Sequence, residues 1–225
     1  MNSTNGATQP FVVRDCALVA ISTGKRAQNL REFRECMWHI NEGSIYFHFW
    51  GSLLQPRFDD PQFNNDFANW SHYGLHDNIL AERLAVIDPA DFEDLEALRR
   101  EILEVLEQRL DEVDHPAWVP IDRQFHFIRS QIVVFDTGWR IENPEELPDF
   151  VAKMSVGSIF YHVVDARARY PKRADDFQAW LLGFGDRFAP VCERLATIDP
   201  NFITLVELRR KLATALKKGF REAQQ

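Results

Sequence analysis

The same words occur twice in this chain, in the same order, roughly 110 residues apart. Thr23-Gly24 is answered by Thr137-Gly138, and Gly43-Ser44-Ile45-Tyr46-Phe47-His48 by Gly157-Ser158-Ile159-Phe160-Tyr161-His162. Asp66-Phe67-x-x-Trp70 is answered by Asp176-Phe177-x-x-Trp180, and the run Glu82 to Pro89 by Glu193 to Pro200. Leu95, Leu98, Arg99 and Arg100 recur as Leu205, Leu208, Arg209 and Arg210, and the offset stays between 110 and 114 throughout. A period of this length is too long for a solenoid unit and implies two similar lobes. The expected organisation is a first repeat over 1–112, a linker over 113–126 that holds two prolines, and a second repeat over 127–225. The two repeats are expected to be related by a pseudo-two-fold.

Each repeat has one order of elements. An apolar, β-branched run (Cys16 to Ser22, Gln131 to Asp136) ends at Thr-Gly and predicts a short strand and a turn. Asn29 with Glu32 is a capping-box pattern, and Asn143-Pro144 with Glu146 gives a cap, a first-position proline and an acidic first turn. Ser44 and Ser158 are candidate caps for the next helix, which carries His48 or His162. The Asp-Phe-x-x-Trp words start a third helix, Leu80 to Ile87 and Phe188 to Ile198 lie on a fourth, and Asp-Pro stops it. The fifth and longest starts at Leu95 or Leu205, behind Asp94 or Thr204, and shows a helical apolar stripe at Leu95, Leu98, Ile102, Val105, Leu106 and Leu110. The fold class is therefore mainly α with a few short β-strands (α+β).

Composition narrows the function classes. Eighteen Phe, six Trp and four Tyr in 225 residues give enough apolar surface to exclude disorder, and three scattered cysteines exclude a disulfide scaffold. No apolar run approaches a membrane span and no secretory signal opens the chain, so a soluble, cytoplasmic protein without a membrane partner is expected. The net charge of −8 argues against a nucleic-acid partner. That charge is uneven: residues 1–115 hold 10 basic and 20 acidic side chains, and residues 116–225 hold 16 and 14. The contrast concentrates on the two long helices. Residues 93–114 carry nine acids against three arginines, whereas 205–222 carry two acids against six bases. These helices are expected to face each other or a symmetry mate.

The matched polar residues are the candidate ligand-binding set: His48 with Asp66, His162 with Asp176, and Arg99 and Arg209 as anion donors. The competing reading makes each histidine a buried group satisfied by its carboxylate, and each arginine part of an inter-helix ion pair. A metal set of His48, His72 and His76, extended by Asp59 or Asp60, rests on the i, i+4 spacing of the last two histidines, although Gly74 between them weakens a common helical face. Ser44, His48 and Asp66 provide the residue types of a triad, but a capping hydroxyl four residues from the imidazole does not reach it as a base partner requires. Asp136-Thr137-Gly138 spells the aspartic-protease triplet, but its counterpart is Ser22-Thr23-Gly24, so the paired carboxylates are missing. Cys16, Cys36 and Cys192 read as small buried hydrophobes. No Walker loop, dinucleotide fingerprint or Cys-x-x-Cys is present, and no cofactor is expected.

The blocks Gly-Ser-Ile-aromatic-aromatic-His, Asn-Asp-Phe-x-x-Trp, Leu-Ala-Glu-Arg-Leu and Leu-x-x-Leu-Arg-Arg resemble a prokaryotic family of domains of unknown function, whose shorter members carry one copy. The resemblance spans nearly the whole chain and implies a fold type, with no activity and no catalytic residues. The second copy departs from the pattern where Asn65 becomes Asp175 and where the segment before the Trp helix is shorter. The resemblance thus carries no shared ligand role for 51–65. The balance of these features lies against catalysis. It favours a non-enzymatic interaction or regulatory module, acting as a homo-oligomer or as the protein partner of an enzyme. A small-molecule or anion-binding protein with a site between the repeats is the alternative, and a histidine-based metal protein a further one.

Overall fold

The structure, a computed structural model, describes residues 9–54, 62–112, 123–169, 174–200 and 203–222. It is mostly helical, with one two-stranded antiparallel sheet. The strands are long. β1 spans Phe11–Ala27 and β2 spans Phe125–Ile141, so neither the short strands expected at Cys16 and Gln131 nor a turn at Thr-Gly is found. The glycines explain the difference. Gly24 and Gly138 have φ of 72° and 80°, a left-handed conformation that absorbs a local irregularity and lets the strand continue. Beside them Thr23 Oγ1 donates to the Phe127 carbonyl (2.6 Å) and Thr137 Oγ1 to that of Val13 (2.7 Å).

Among the described residues, the α-helices that follow β1 are α1 Leu30–His39, α2 Glu42–Trp50, α3 Asp66–Tyr73, α4 Asn78–Ala85 and α5 Leu95–Glu112. After β2 come α6 Leu147–Lys153, α7 Val156–Ile159, a π-helical turn over Phe160–Asp165, α8 Ala166–Arg169, α9 Asp176–Leu182, α10 Ala189–Ala196 and α11 Leu205–Glu222. The residues expected to form a linker are undescribed up to 122, and Phe125 and His126 already belong to β2.

Caps set the helix starts. Asn29, Asn65 and Asp77 accept from the backbone N–H three residues on, and Asp175 with Gln178 closes a full capping box. The expected cap at Ser44 is replaced by Asn41, which accepts from the Gly43 N–H, and that at Ser158 by Ser155. Asn143 makes no side-chain cap bond; Pro144–Glu146 forms a 3-10 turn before α6. Asp94 and Thr204 do cap the long helices, accepting from Ala97 (2.6 Å) and Glu207 (3.1 Å).

The chain divides into two compact units whose boundaries fall inside the strands: Leu18–Ile132, and Met1–Ala17 with Val133–Gln225. In the Leu18–Ile132 unit, Phe33 is fully buried, with the rings of Phe67, Trp70, Phe125 and Phe127 centred 5.0–5.6 Å from its own. Helix α5 lies along α1, α2 and α4 and buries Leu98, Ile102 and Leu106. In the other unit α11 lies along α6, α7 and α10 and buries Leu205, Leu208, Leu212, Leu216 and Phe220. There the Phe11 ring is centred 4.9–5.5 Å from those of His162, Phe177 and Trp180. Among the described residues no helix is long and apolar enough to cross a membrane.

Candidate functional site: two histidine–carboxylate pins

His48 lies on α2, 3% exposed, within a ring of aromatic side chains. Its Nδ1 is 3.0 Å from Asp66 Oδ2, and its Nε2 accepts the backbone N–H of Ile128 on β2 at 3.1 Å. An Nε2 that accepts a backbone N–H carries no proton, so the proton sits on Nδ1 and is donated to the carboxylate. His162, 2% exposed, has the same arrangement: Nδ1 is 2.7 Å from Asp176 Oδ2, and Nε2 accepts the N–H of Arg14 on β1 at 2.9 Å. Each imidazole therefore ties a helix, a carboxylate and a strand together with both of its nitrogens.

The surrounding bonds come in pairs as well. Trp70 Nε1 donates to the carbonyl of Arg123 (2.8 Å), and Trp180 Nε1 to that of Gln9 (2.9 Å). Ser130 Oγ donates to the Gly43 carbonyl (3.4 Å), and Cys16 Sγ to the Gly157 carbonyl (3.3 Å). Ser44 Oγ donates to the carbonyl of Ile128 (2.8 Å) and so belongs to the strand contact. Gly157 permits the closest approach: a Cβ there would lie 2.5 Å from the Cys16 carbonyl oxygen.

The two sites differ in charge. The Asp66 side chain is 32% exposed and that of Asp176 only 10%. Asp176 Oδ2 also receives Arg169 Nη2 at 3.1 Å, while Arg169 Nε donates to Asp165 (2.8 Å) and its guanidinium carbon stands 4.2 Å from the Tyr161 ring centre. Burial pushes the Asp176 carboxyl up, but the bond from His162 and the charge of Arg169 outweigh it and hold the group below its ordinary range. Its neighbour Asp175 is fully buried, and burial lifts it to about 6.

Arg99 and Arg209 make their bonds elsewhere. Arg99, buried, donates to the carbonyls of Met37 (2.5 Å) and Ile40 (2.7 Å) at the end of α1 and pairs with Glu96; Arg209 donates to the Met154 carbonyl (2.6 Å) at the end of α6. A guanidinium on the last carbonyls of a helix satisfies acceptors that have no intrahelical partner. Arg83 pairs with Glu112, joining α4 to α5, and Arg194 with Glu222, joining α10 to α11.

The metal set does not assemble. His48 has both nitrogens engaged, His72 ends α3 against the Phe63 and Tyr73 rings, and His76 lies beyond that helix at φ 55°. Asp59 and Asp60 lie outside the described residues, and among those described no group of three or more His, Cys, Asp or Glu could hold a metal ion. Cys16 and Cys192 are buried, which lifts their thiols to about 12 and about 11, and burial also raises half-buried Cys36; none is a ready thiolate. Asp136 accepts from Arg140 and from the Gly138 N–H, which holds it down at about 2 with no second carboxylate bonded to it.

Sequence reasoning missed Asp165, Arg169, Ser130 and the strand amides of Arg14 and Ile128. The amides carry no side-chain signature. Arg14 and Ile128 are themselves 114 residues apart, so extending the repeat register into the strands could have found them.

Two helix-rich units, threaded by the same two strands and each pinned through a buried histidine, are the class this fold defines. The chain belongs to a family of unknown function, DUF5752, whose model matches residues 8–217. Among solved structures it is similar to OrfY from Thermoproteus tenax, at 31% identity and a TM-score of 0.80, over 95% of this chain and 96% of that one. No curated protein matches it.

Proposed function

We propose that this protein is a non-catalytic interaction module, built from two tandem copies that exchange their leading strands, and that it acts through self-association or by holding a partner protein. The observation that carries the reading is the state of the two histidines. They are the most active-site-like groups in the sequence, yet each spends both ring nitrogens on its own fold. An imidazole used in this way has no nitrogen left for a general base or a ligand. Arg99 is likewise turned to helix carbonyls, which removes it from an anion pocket, and Arg209 gives its Nη1 to the Met154 carbonyl.

Duplication with exchange is supported by the register of the paired bonds. His48, Trp70 and Gly43 meet Ile128, Arg123 and Ser130, in or just before β2; His162, Trp180 and Gly157 meet Arg14, Gln9 and Cys16, in or just before β1. Every strand partner is shifted by 114 residues between the sets. Sedimentation velocity on the purified protein, combined with quantitative affinity capture from its native host, tests the module reading. Self-association or one stoichiometric partner is expected; a strict monomer that captures nothing contradicts it.

A further inference from the structure

The two long helices each present a row of charge, of opposite sign. On α5, Glu101, Glu104 and Asp111 fall at i, i+3 and i+10, with Gln108 in the same row. On α11 a basic row reads Arg210, Thr214, Lys218 and Arg221, at i, i+4, i+8 and i+11; the residue matched to Glu101 is Lys211, next to it. At 1.5 Å per residue both rows are about 15 Å long. Several other charges of these helices are spent inside their own units: Glu107 on Arg34, Glu112 on Arg83 and Arg109, Lys211 on Glu207, Lys217 on Asp149 and Glu222 on Arg194, while exposed Arg100 stands beside the acidic row. Among the described residues no ion pair is recorded for Glu101, Glu104, Asp111, Arg210, Lys218 or Arg221. All six are exposed except half-buried Glu101.

The basic row is also shaped to receive something. It forms the ridge between two grooves. One, of about 540 Å³, lies between α6 and α11 and includes Ala152, Val206, Arg210 and Lys217. The other, of about 470 Å³, lies between α10 and α11 and includes Thr197, Ile198, Arg210 and Lys218. Val206 is 55% exposed at the first groove, so the surface offers apolar area beside its charge.

We propose that this surface of α11 is the docking site for the acidic face of α5 from a second copy of the same chain. This deepens the module reading and rests on it. Charge sign is opposite and row length similar, and the occupant is present at the same concentration as its receptor. A nucleic acid would meet the same basic row, but it would approach a chain of net charge −8, which opposes it. Because each chain carries one face of each kind, the contact is heterologous: a dimer closes if two such contacts form reciprocally, and a head-to-tail chain grows if they do not.

The test is sedimentation velocity with three charge patterns. Wild type is expected to associate in low salt, and at least about tenfold more weakly at roughly 0.5 M NaCl, where screening is nearly complete beyond a few ångströms. Arg210→Glu with Lys218→Glu and Arg221→Glu makes both rows acidic, and Glu101→Lys with Glu104→Lys and Asp111→Lys makes both basic; each variant is expected to be monomeric alone. Mixed in equal amounts, the two are expected to associate again, because each then supplies what the other lacks. That restoration cannot come from misfolded protein. An assembly that persists in high salt and in both variants overturns this assignment while leaving the module reading intact. A wild type that stays monomeric but binds a fluorescent single-stranded oligonucleotide through α11, losing it on reversal of the basic row, overturns the choice of occupant.

Discussion

Replacing His162 with alanine removes a bond to the Arg14 N–H and leaves a largely buried Asp176 with Arg169 as its remaining charged donor. A buried donor or acceptor left without a partner costs about 1–3 kcal/mol, and the vacated ring volume adds to it. His48→Ala makes the same cut in the other unit, but Asp66 is more exposed and can turn to water. Both variants are expected to lower the melting temperature, and His162→Ala to lower it more, as thermal unfolding by circular dichroism will show. Asp175 gives a pH-dependent counterpart. Its folded value of about 6 stands above the ordinary 3.8, so its contribution is fully present below pH 4 and is lost as pH rises through 6. Asp175→Asn is therefore expected to stabilise the protein at pH 7 by about 1–3 kcal/mol, with the gain vanishing near pH 4. The equivalent position already holds Asn65, which caps its helix and donates to the Leu84 carbonyl at 3.0 Å. A variant no more stable than wild type at pH 7 contradicts the assigned burial penalty.

At the scale of the element, helices were the legible part. The stripe of α5 and the caps at Asn29, Asp94 and Thr204 were readable because spacing and capping are local in sequence. The strands were misread for the opposite reason. Thr-Gly looks like a turn in isolation, and only the pairing of β1 with β2, over a hundred residues apart, lets the chain run on through Gly24 and Gly138. Ser44 reads locally as a cap, whereas its acceptor, the Ile128 carbonyl, is 84 residues away. The His–Asp pairing was visible as a match between copies, but its role depended on the strand amide at Nε2, which no side-chain pattern announces. The helix–strand seam gives an element-level prediction. Gly157→Ala places a Cβ against the Cys16 carbonyl oxygen, a backbone atom that cannot swing aside, whereas at Gly43 the nearest backbone oxygen, that of Ser130, is 3.3 Å away. Gly157→Ala is expected to cost roughly 1–3 kcal/mol and Gly43→Ala less, measured by denaturant unfolding. Equal costs would contradict the tighter seam.

For the whole molecule, the proposed copies and the compact units are different objects. The proposed copy over 1–112 lacks Phe125, Phe127 and the Ile128 amide that the core around Phe33 and His48 use; the unit Leu18–Ile132 contains them. Phe125 and Phe127 alone are 5% and 1% exposed, and removing both from the cluster around Phe33 forfeits several kcal/mol, comparable to the stability of a small domain. The most direct measurement is thus a comparison of two purified fragments by thermal unfolding and amide-proton NMR dispersion. Residues 18–132 are expected to show a cooperative transition and dispersed amides, while residues 1–112 show neither. If residues 1–112 fold cooperatively and residues 18–132 do not, the strands are not exchanged and the account is wrong.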